Sequence, residues 1–129
     1  MAFSKYQCTG VWGVCPGLFQ SRSAHFSVAD VTKLDALNLP PCAFALDMGC
    51  FHGLGPAGQQ RYAELLAAQL LPGGRYMLYT LIPRNEAGWR FGVTVEQVRA
   101  VFSARFEITR VEAGRQGRGG ANWYWMTLR

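Results

Sequence analysis

Two side chains in this sequence have both the chemistry and the spacing to work together. They are Asp47, at the end of a short apolar run, and His52, in the turn Asp47-Met48-Gly49-Cys50-Phe51-His52. A carboxylate and an imidazole at one turn could orient an acceptor group or remove a proton from it. The same residue types also serve turns without chemistry, Asp47 by accepting backbone hydrogen bonds and His52 by capping the segment that follows. Cys42, Cys50 and His52 raise the question of a metal, but their spacing fits no zinc pattern and no fourth ligand is close, so no metal is expected. The cysteines, Cys8, Cys15, Cys42 and Cys50, include no Cys-x-x-Cys pair and are read as reduced thiols.

The elements that must position this turn follow from the apolar pattern. Cys42 to Leu46 has the length of a buried strand, and in open α/β sheets ligands collect where strands end. After Gly55-Pro56 a helix is expected with Tyr62, Leu65, Leu66 and Leu70 on one face and Gln59, Gln60, Arg61 and Glu64 largely off it; Pro72 ends it. Tyr76 to Leu81 is apolar on both faces, as befits a central parallel strand covered by helices on each side. Pro83 to Gly92 reads as a loop. Thr94 and Gln97 form a capping box that opens a helix with Val95, Val98, Val101 and Phe102 on one side. Phe106 to Glu112 carries mixed charge, suiting an edge strand, and Asn122 to Leu128 is a last strand rich in aromatics. Upstream, His25 to Ala29 reads as a strand ending at Asp30-Val31-Thr32, with a brief helical turn over Lys33 to Leu39. Residues 1–23, punctuated by Gly10, Gly13, Pro16 and Gly17, read as neither helix nor strand.

The 129 residues fit one domain, divided here into an atypical segment, 1–23, and a main unit, 24–129. No apolar run is long enough to span a membrane and the start lacks a secretion signal, so a cytoplasmic setting is the default. The net charge of +5 comes mostly from arginine, which suits an anionic partner and equally an ordinary solvated surface. The stretch Arg115 to Gly120, beside Trp123-Tyr124-Trp125, has the make-up of a nucleic-acid-binding tract, although a hairpin loop explains the same residues more simply.

Over roughly residues 24 to 129 the order and motifs resemble the C-terminal two-thirds of a class I S-adenosylmethionine-dependent methyltransferase. Ala29-Asp30-Val31 matches the family's third strand, whose acidic end meets the adenine amino group. Ala43 to His52 is similar to a subgroup with Gly-Cys-Phe-His after strand four, and Leu71-Pro72-Gly73-Gly74 looks like the turn into strand five. The resemblance implies an α/β, Rossmann-like sheet, incomplete at its N-terminus and closed by an antiparallel hairpin. It implies S-adenosylmethionine as cofactor, met by Asp30, Val31, Asp47, Met48, Gly49 and Cys50, with Asp47 and His52 toward a small-molecule acceptor. Asp47 also resembles the start of the family's first glycine loop, but the chain after it is too short to hold the rest of that fold. The glycine loop and first two strands therefore have no counterpart, so cofactor binding by the chain alone is expected to be weak or absent, and the sheet is left with an open edge. A homodimer through that edge is a possible partner arrangement; nucleic acid is not an expected partner. The alternative to an enzyme is a nucleic-acid-binding or strand-exchange module using the Arg/Gly-rich hairpin or the open edge.

Overall fold

The computed structural model describes residues 8–13, 24–86, 89–116 and 119–129. Eight strands and two α-helices appear in the order β1 (Cys8–Gly13), β2 (Ala24–Ala29), β3 (Cys42–Met48), α1 (Pro56–Gln69), β4 (Leu70–Leu81), β5 (Arg84–Glu86), β6 (Trp89–Phe91), α2 (Val95–Phe102), β7 (Phe106–Gln116) and β8 (Gly119–Leu128). A 3-10 stretch, Val31–Leu37, links β2 toward β3, and a second, Phe51–Gly53, follows β3.

The main sheet has the order β3-β4-β8-β7. β3 and β4 run parallel, pairing Ala45 with Tyr76 and Asp47 with Leu78. A parallel pair needs a long crossover, which α1 supplies. β8 is antiparallel to both β4 and β7, so the sheet closes in the expected hairpin, with β7 at the edge.

α1 begins where Pro56, at the first helical position, has no amide to lose, and it ends as Leu70 turns extended ahead of Pro72. It buries Tyr62, Ala63, Leu65 and Leu66. α2 opens on the expected capping box: Gln97 N–H donates to Thr94 Oγ1 at 3.1 Å, and Thr94 N–H to Gln97 Oε1 at 2.8 Å. It buries Val98, Val101 and Phe102. Both helices contribute to one core with Tyr76, Leu78, Tyr124 and Met126, so they cover the same face of the sheet. Its centre is aromatic, with ring centroids 5.0 Å apart for Phe51 and Phe102, 5.5 Å for Tyr76 and Phe102, and 5.6 Å for Phe102 and Phe106.

Five expectations need correction. Cys8–Gly13, within the segment read as neither helix nor strand, forms β1 because β2 lies antiparallel beside it and satisfies its backbone groups. That hairpin is a separate sheet, so β2 does not join β3 among the described strands. The stretch read as a loop, Pro83 to Gly92, contains the small hairpin β5–β6, and Gly92 takes a φ of +96° at its exit, where an added Cβ would run into the Ile82 carbonyl. β4 is central but covered by described helices on one face only. Finally, Cys50 is disulfide-bonded whereas Cys42 is free; bridging depends on thiols meeting in space, which spacing along the chain does not reveal.

Candidate functional site

Asp47 is the last inward-facing residue of β3 and is only 2% exposed. Its Oδ1 accepts the Gly49 and Cys50 amides at 2.9 and 2.7 Å, and its Oδ2 accepts the Phe51 amide at 3.0 Å. Gly49 permits this by adopting a φ of +118°, a region that side chains disfavour, so the chain curls back over the carboxylate. The Tyr76 hydroxyl lies 3.4 Å from Asp47 Oδ2 and 3.4 Å from the Tyr62 hydroxyl. Burial first, and then the neighbouring phenol or the Asp47 charge, push both tyrosines well above the ordinary phenol range, so both stay protonated. The buried charge is thereby matched by three amides and a phenol.

His52 sits on the short 3-10 stretch after β3 and is half-buried. β3 stops pairing at Met48, opposite Tyr79, which leaves the Leu81 amide of β4 without a strand partner on that side. His52 takes that place: its Nδ1 accepts the Leu81 N–H at 3.3 Å. Burial lowers its pKa and Arg84 adds to this, while the Asp47 charge opposes them. An imidazole whose Nδ1 accepts a hydrogen bond carries its proton on Nε2. It can present an N–H donor, but can accept a proton only by giving up Leu81.

Asp30 is exposed and caps the 3-10 stretch after β2, its Oδ1 accepting the Thr32 amide at 2.9 Å and the Thr32 hydroxyl at 2.7 Å. The Thr32 bonds hold its carboxyl below the usual range. Val31 packs at the margin of the core. The Arg61–Asp35 ion pair, at 2.9 Å, ties this 3-10 stretch to α1. Met48 is 66% exposed at the end of β3, and Gly49 and Cys50 form the turn itself.

The structure thus gathers Asp47, Met48, Gly49, Cys50 and His52 at one strand end, with Asp30 and Val31 on a separate segment. Nothing in the residue pattern indicates that Tyr62 and Tyr76 face Asp47, nor that His52 holds Leu81; both pairings join residues far apart in the chain. Among the described residues, no group of three or more His, Cys, Asp or Glu side chains is arranged to hold a metal ion. The Arg115–Gly120 stretch lies at the β7–β8 turn, with Arg115 paired to Gly120 and residues 117–118 outside the described set. Tyr79, Trp123 and Trp125 lie side by side along the sheet with tilted rings, centroids 4.8 Å apart for Tyr79 and Trp123 and 6.4 Å for Trp123 and Trp125.

No family model matches the chain. It is 32% identical over 110 residues to a thiopurine S-methyltransferase of Xanthomonas campestris pv. campestris, a match covering 78% of this chain and 50% of that protein. The chain spans about half the length of the curated relatives it matches. Its fold is similar to a Methanosarcina mazei S-adenosylmethionine-dependent methyltransferase, with a TM-score of 0.62 and 14% identity over 88% of this chain and 72% of the other. It is also similar to Burkholderia thailandensis 1,6-didemethyltoxoflavin-N1-methyltransferase, solved with 1,6-didemethyltoxoflavin and S-adenosylhomocysteine, with a TM-score of 0.60 and 18% identity over 78% of this chain and 48% of the other. The strand order, the buried turn after β3 and these likenesses agree: the described sheet is part of the Rossmann-like fold of the class I S-adenosylmethionine-dependent methyltransferases.

Proposed function

We propose that this chain forms part of an S-adenosylmethionine-dependent methyltransferase acting on a small molecule, with its site at the turn after β3. The observation that carries the reading is the Asp47 turn, a buried carboxylate wound in by three amides at the end of a parallel strand. Asp47 fixes the path of Met48, Gly49 and Cys50, whose outer surface, with Asp30 and Val31, would face the cofactor. The residues present fit it in part. Thr32 occupies only Oδ1 of Asp30, so its Oδ2 is not taken by the cap and suits an adenine amino group. The amides of the Asp47 turn point inward to the carboxylate and are not offered to a ligand.

When bound, S-adenosylmethionine supplies an activated methyl group. The task left to the chain is to hold the acceptor in line and keep water out. His52 does this best as a donor: its Nε2–H orients a lone pair of the acceptor, while Leu81 anchors the ring through Nδ1. Asp47 acts as a positioning residue, because its oxygens are already engaged. Residues 24–129 would form this unit, with residues 1–23 joined to it through the β1–β2 hairpin, in a cytoplasmic setting. No described helix is long and apolar enough to cross a membrane.

Titration with S-adenosylhomocysteine tests the reading. Binding that is saturable and lost on changing Asp30 to Ala is expected once the sheet is complete; for the isolated chain it should be weak or absent. A completed sheet that ignores the ligand would overturn the assignment. The edge of β3 that pairs with no described strand favours a second, non-enzymatic reading as a dimerisation or strand-exchange module, for which a concentration-dependent homodimer is the signature.

A further inference from the structure

Within the Asp47 turn, Cys50 carries a reactive bond that methyl transfer does not use. It is half-buried and disulfide-bonded. Cys42, the free cysteine among the described residues, keeps its thiol protonated because burial pushes its pKa up. Cys42 opens β3 and Cys50 follows its end, so the strand between them spans roughly 20 Å and they cannot exchange. Cys8 and Cys15 are the remaining cysteines of the sequence.

The two neighbours of Cys50 differ in how they are held. Phe51 is an anchor: its ring is fully buried against Tyr62 and Phe102, and its amide donates to Asp47 Oδ2 at 3.0 Å. Gly49 is a hinge, with a φ of +118° and no side chain to restrict it. It faces the His52 ring, where an added Cβ would lie 3.6 Å from Cε1 and 3.8 Å from Nε2. The bridge thus pins the residue between hinge and anchor, and the hinge side touches the edge of His52 that carries its N–H.

We propose that the Cys50 disulfide is a redox switch on this turn. Bridged, it holds the Gly49 and Cys50 amides on Asp47 Oδ1, at 2.9 and 2.7 Å, and fixes the surface on which the Nε2 edge of His52 rests. Reduced, it releases both while Phe51 stays. The consequence for an acceptor at His52 rests on the methyltransferase reading; the switch itself does not. In the cytoplasmic setting proposed above, disulfides are usually transient or redox-sensing, which suits a reversible bridge. A dithiol balances the step. One of its thiolates attacks a bridge sulfur to give a mixed disulfide, and its second thiol displaces that sulfur and closes the dithiol to a cyclic disulfide. Two electrons pass to the bridge, and the two protons of the dithiol end on the released cysteine sulfurs.

The test compares the full chain purified without reductant with the same sample after dithiothreitol, by hydrogen exchange and by the His52 ring signals in NMR. Peptide mapping of the alkylated, unreduced protein should show Cys42 alkylated and Cys50 bridged, and it identifies the bonded partner. Reduction should speed exchange of the Gly49 and Cys50 amides roughly tenfold, leave the Phe51 amide little changed and shift the His52 signals. Oxidised glutathione should restore the first pattern. Cys50→Ser should show the reduced pattern under both conditions, and Cys42→Ser should respond as the parent does. Cys50 found alkylated after equilibration with oxidised glutathione would overturn the proposal. So would equal protection in the two states, or a dithiothreitol response that persists in Cys50→Ser. S-adenosylhomocysteine titrated into both states keeps the two readings apart. A redox-dependent turn supports the switch even where neither state takes the ligand. Equal ligand binding in both states, with an unchanged turn, sinks the switch and leaves the cofactor reading standing.

Discussion

The two faces of the β3-β4-β8-β7 sheet are nearly equal in apolar content and opposite in fate. Tyr76, Leu78, Tyr124 and Met126 point toward α1 and α2 and are at most 1% exposed. Met77, Tyr79, Trp123 and Trp125, one residue along the same strands, are partly buried, and Phe44, Leu46 and Met48 of β3 beside them are at least half exposed. Alternation sends neighbours to opposite sides, so strand composition alone cannot tell a covered face from a bare one. What separates the faces is whether another element lies across them. The buried Asp47 turn belongs to the covered face, and its order comes from there.

The largest effect should come from the covered face. Phe102 is fully buried and touches the rings of Phe51, Tyr76 and Phe106. Phe102→Ala should cost about 4 kcal/mol in urea unfolding, because a ring-sized cavity opens among side chains that cannot all close over it. A loss below about 1 kcal/mol would mean that the helices do not pack on the sheet as described.

Next comes the turn. In Asp47→Ala, three amides and a buried phenol lose their acceptor at once, and a loss of about 3 kcal/mol is expected. Hydrogen exchange of the Gly49, Cys50 and Phe51 amides should rise with it. If the variant kept both its stability and its amide protection, Asp47 would not be the turn's organiser.

A smaller effect depends on pH. The folded-state pKa of His52 is lowered chiefly by burial, so protonation favours the unfolded chain. Stability is held above the ordinary histidine value of about 6.5 and is lost as pH falls through the lower folded value. Protonation also removes Nδ1 as the acceptor for Leu81. Melting temperature should therefore fall between about pH 7 and pH 5.5, and His52→Gln should flatten that slope. A slope that survives the substitution assigns the effect elsewhere.

Much of this was legible in the sequence because it is local. The α1 face, the Thr94 capping box and the Asp47 turn each depend on residues a few positions apart, where helix period, cap chemistry and the freedom of glycine decide the outcome. The edge position of β7 followed from its mixed charge. What stayed hidden is non-local. β1 is a strand because β2 lies beside it, Cys50 is disulfide-bonded, and His52 meets Leu81 from the turn after β3. The bare face was hidden for the same reason: Met77 and Trp125 look like core residues until one asks what covers them.

The smallest expected effect sharpens the comparison most. Leu46 lies one residue from the buried Asp47 yet is 52% exposed. Leu46→Ser in the chain alone should change unfolding free energy by less than about 0.5 kcal/mol, because little apolar area leaves the protein interior. It should also reduce self-association at high concentration, since one apolar group leaves the exposed patch. The equivalent truncation beneath the helices, Leu78→Ala, removes a fully buried side chain and should cost about 3 kcal/mol. Leu46 and Leu78 are the same residue type on adjacent paired strands, so the gap between these two losses reports chiefly how far each side chain is covered. If Leu46→Ser proved as costly as Leu78→Ala, some part of the chain would lie across this face of β3.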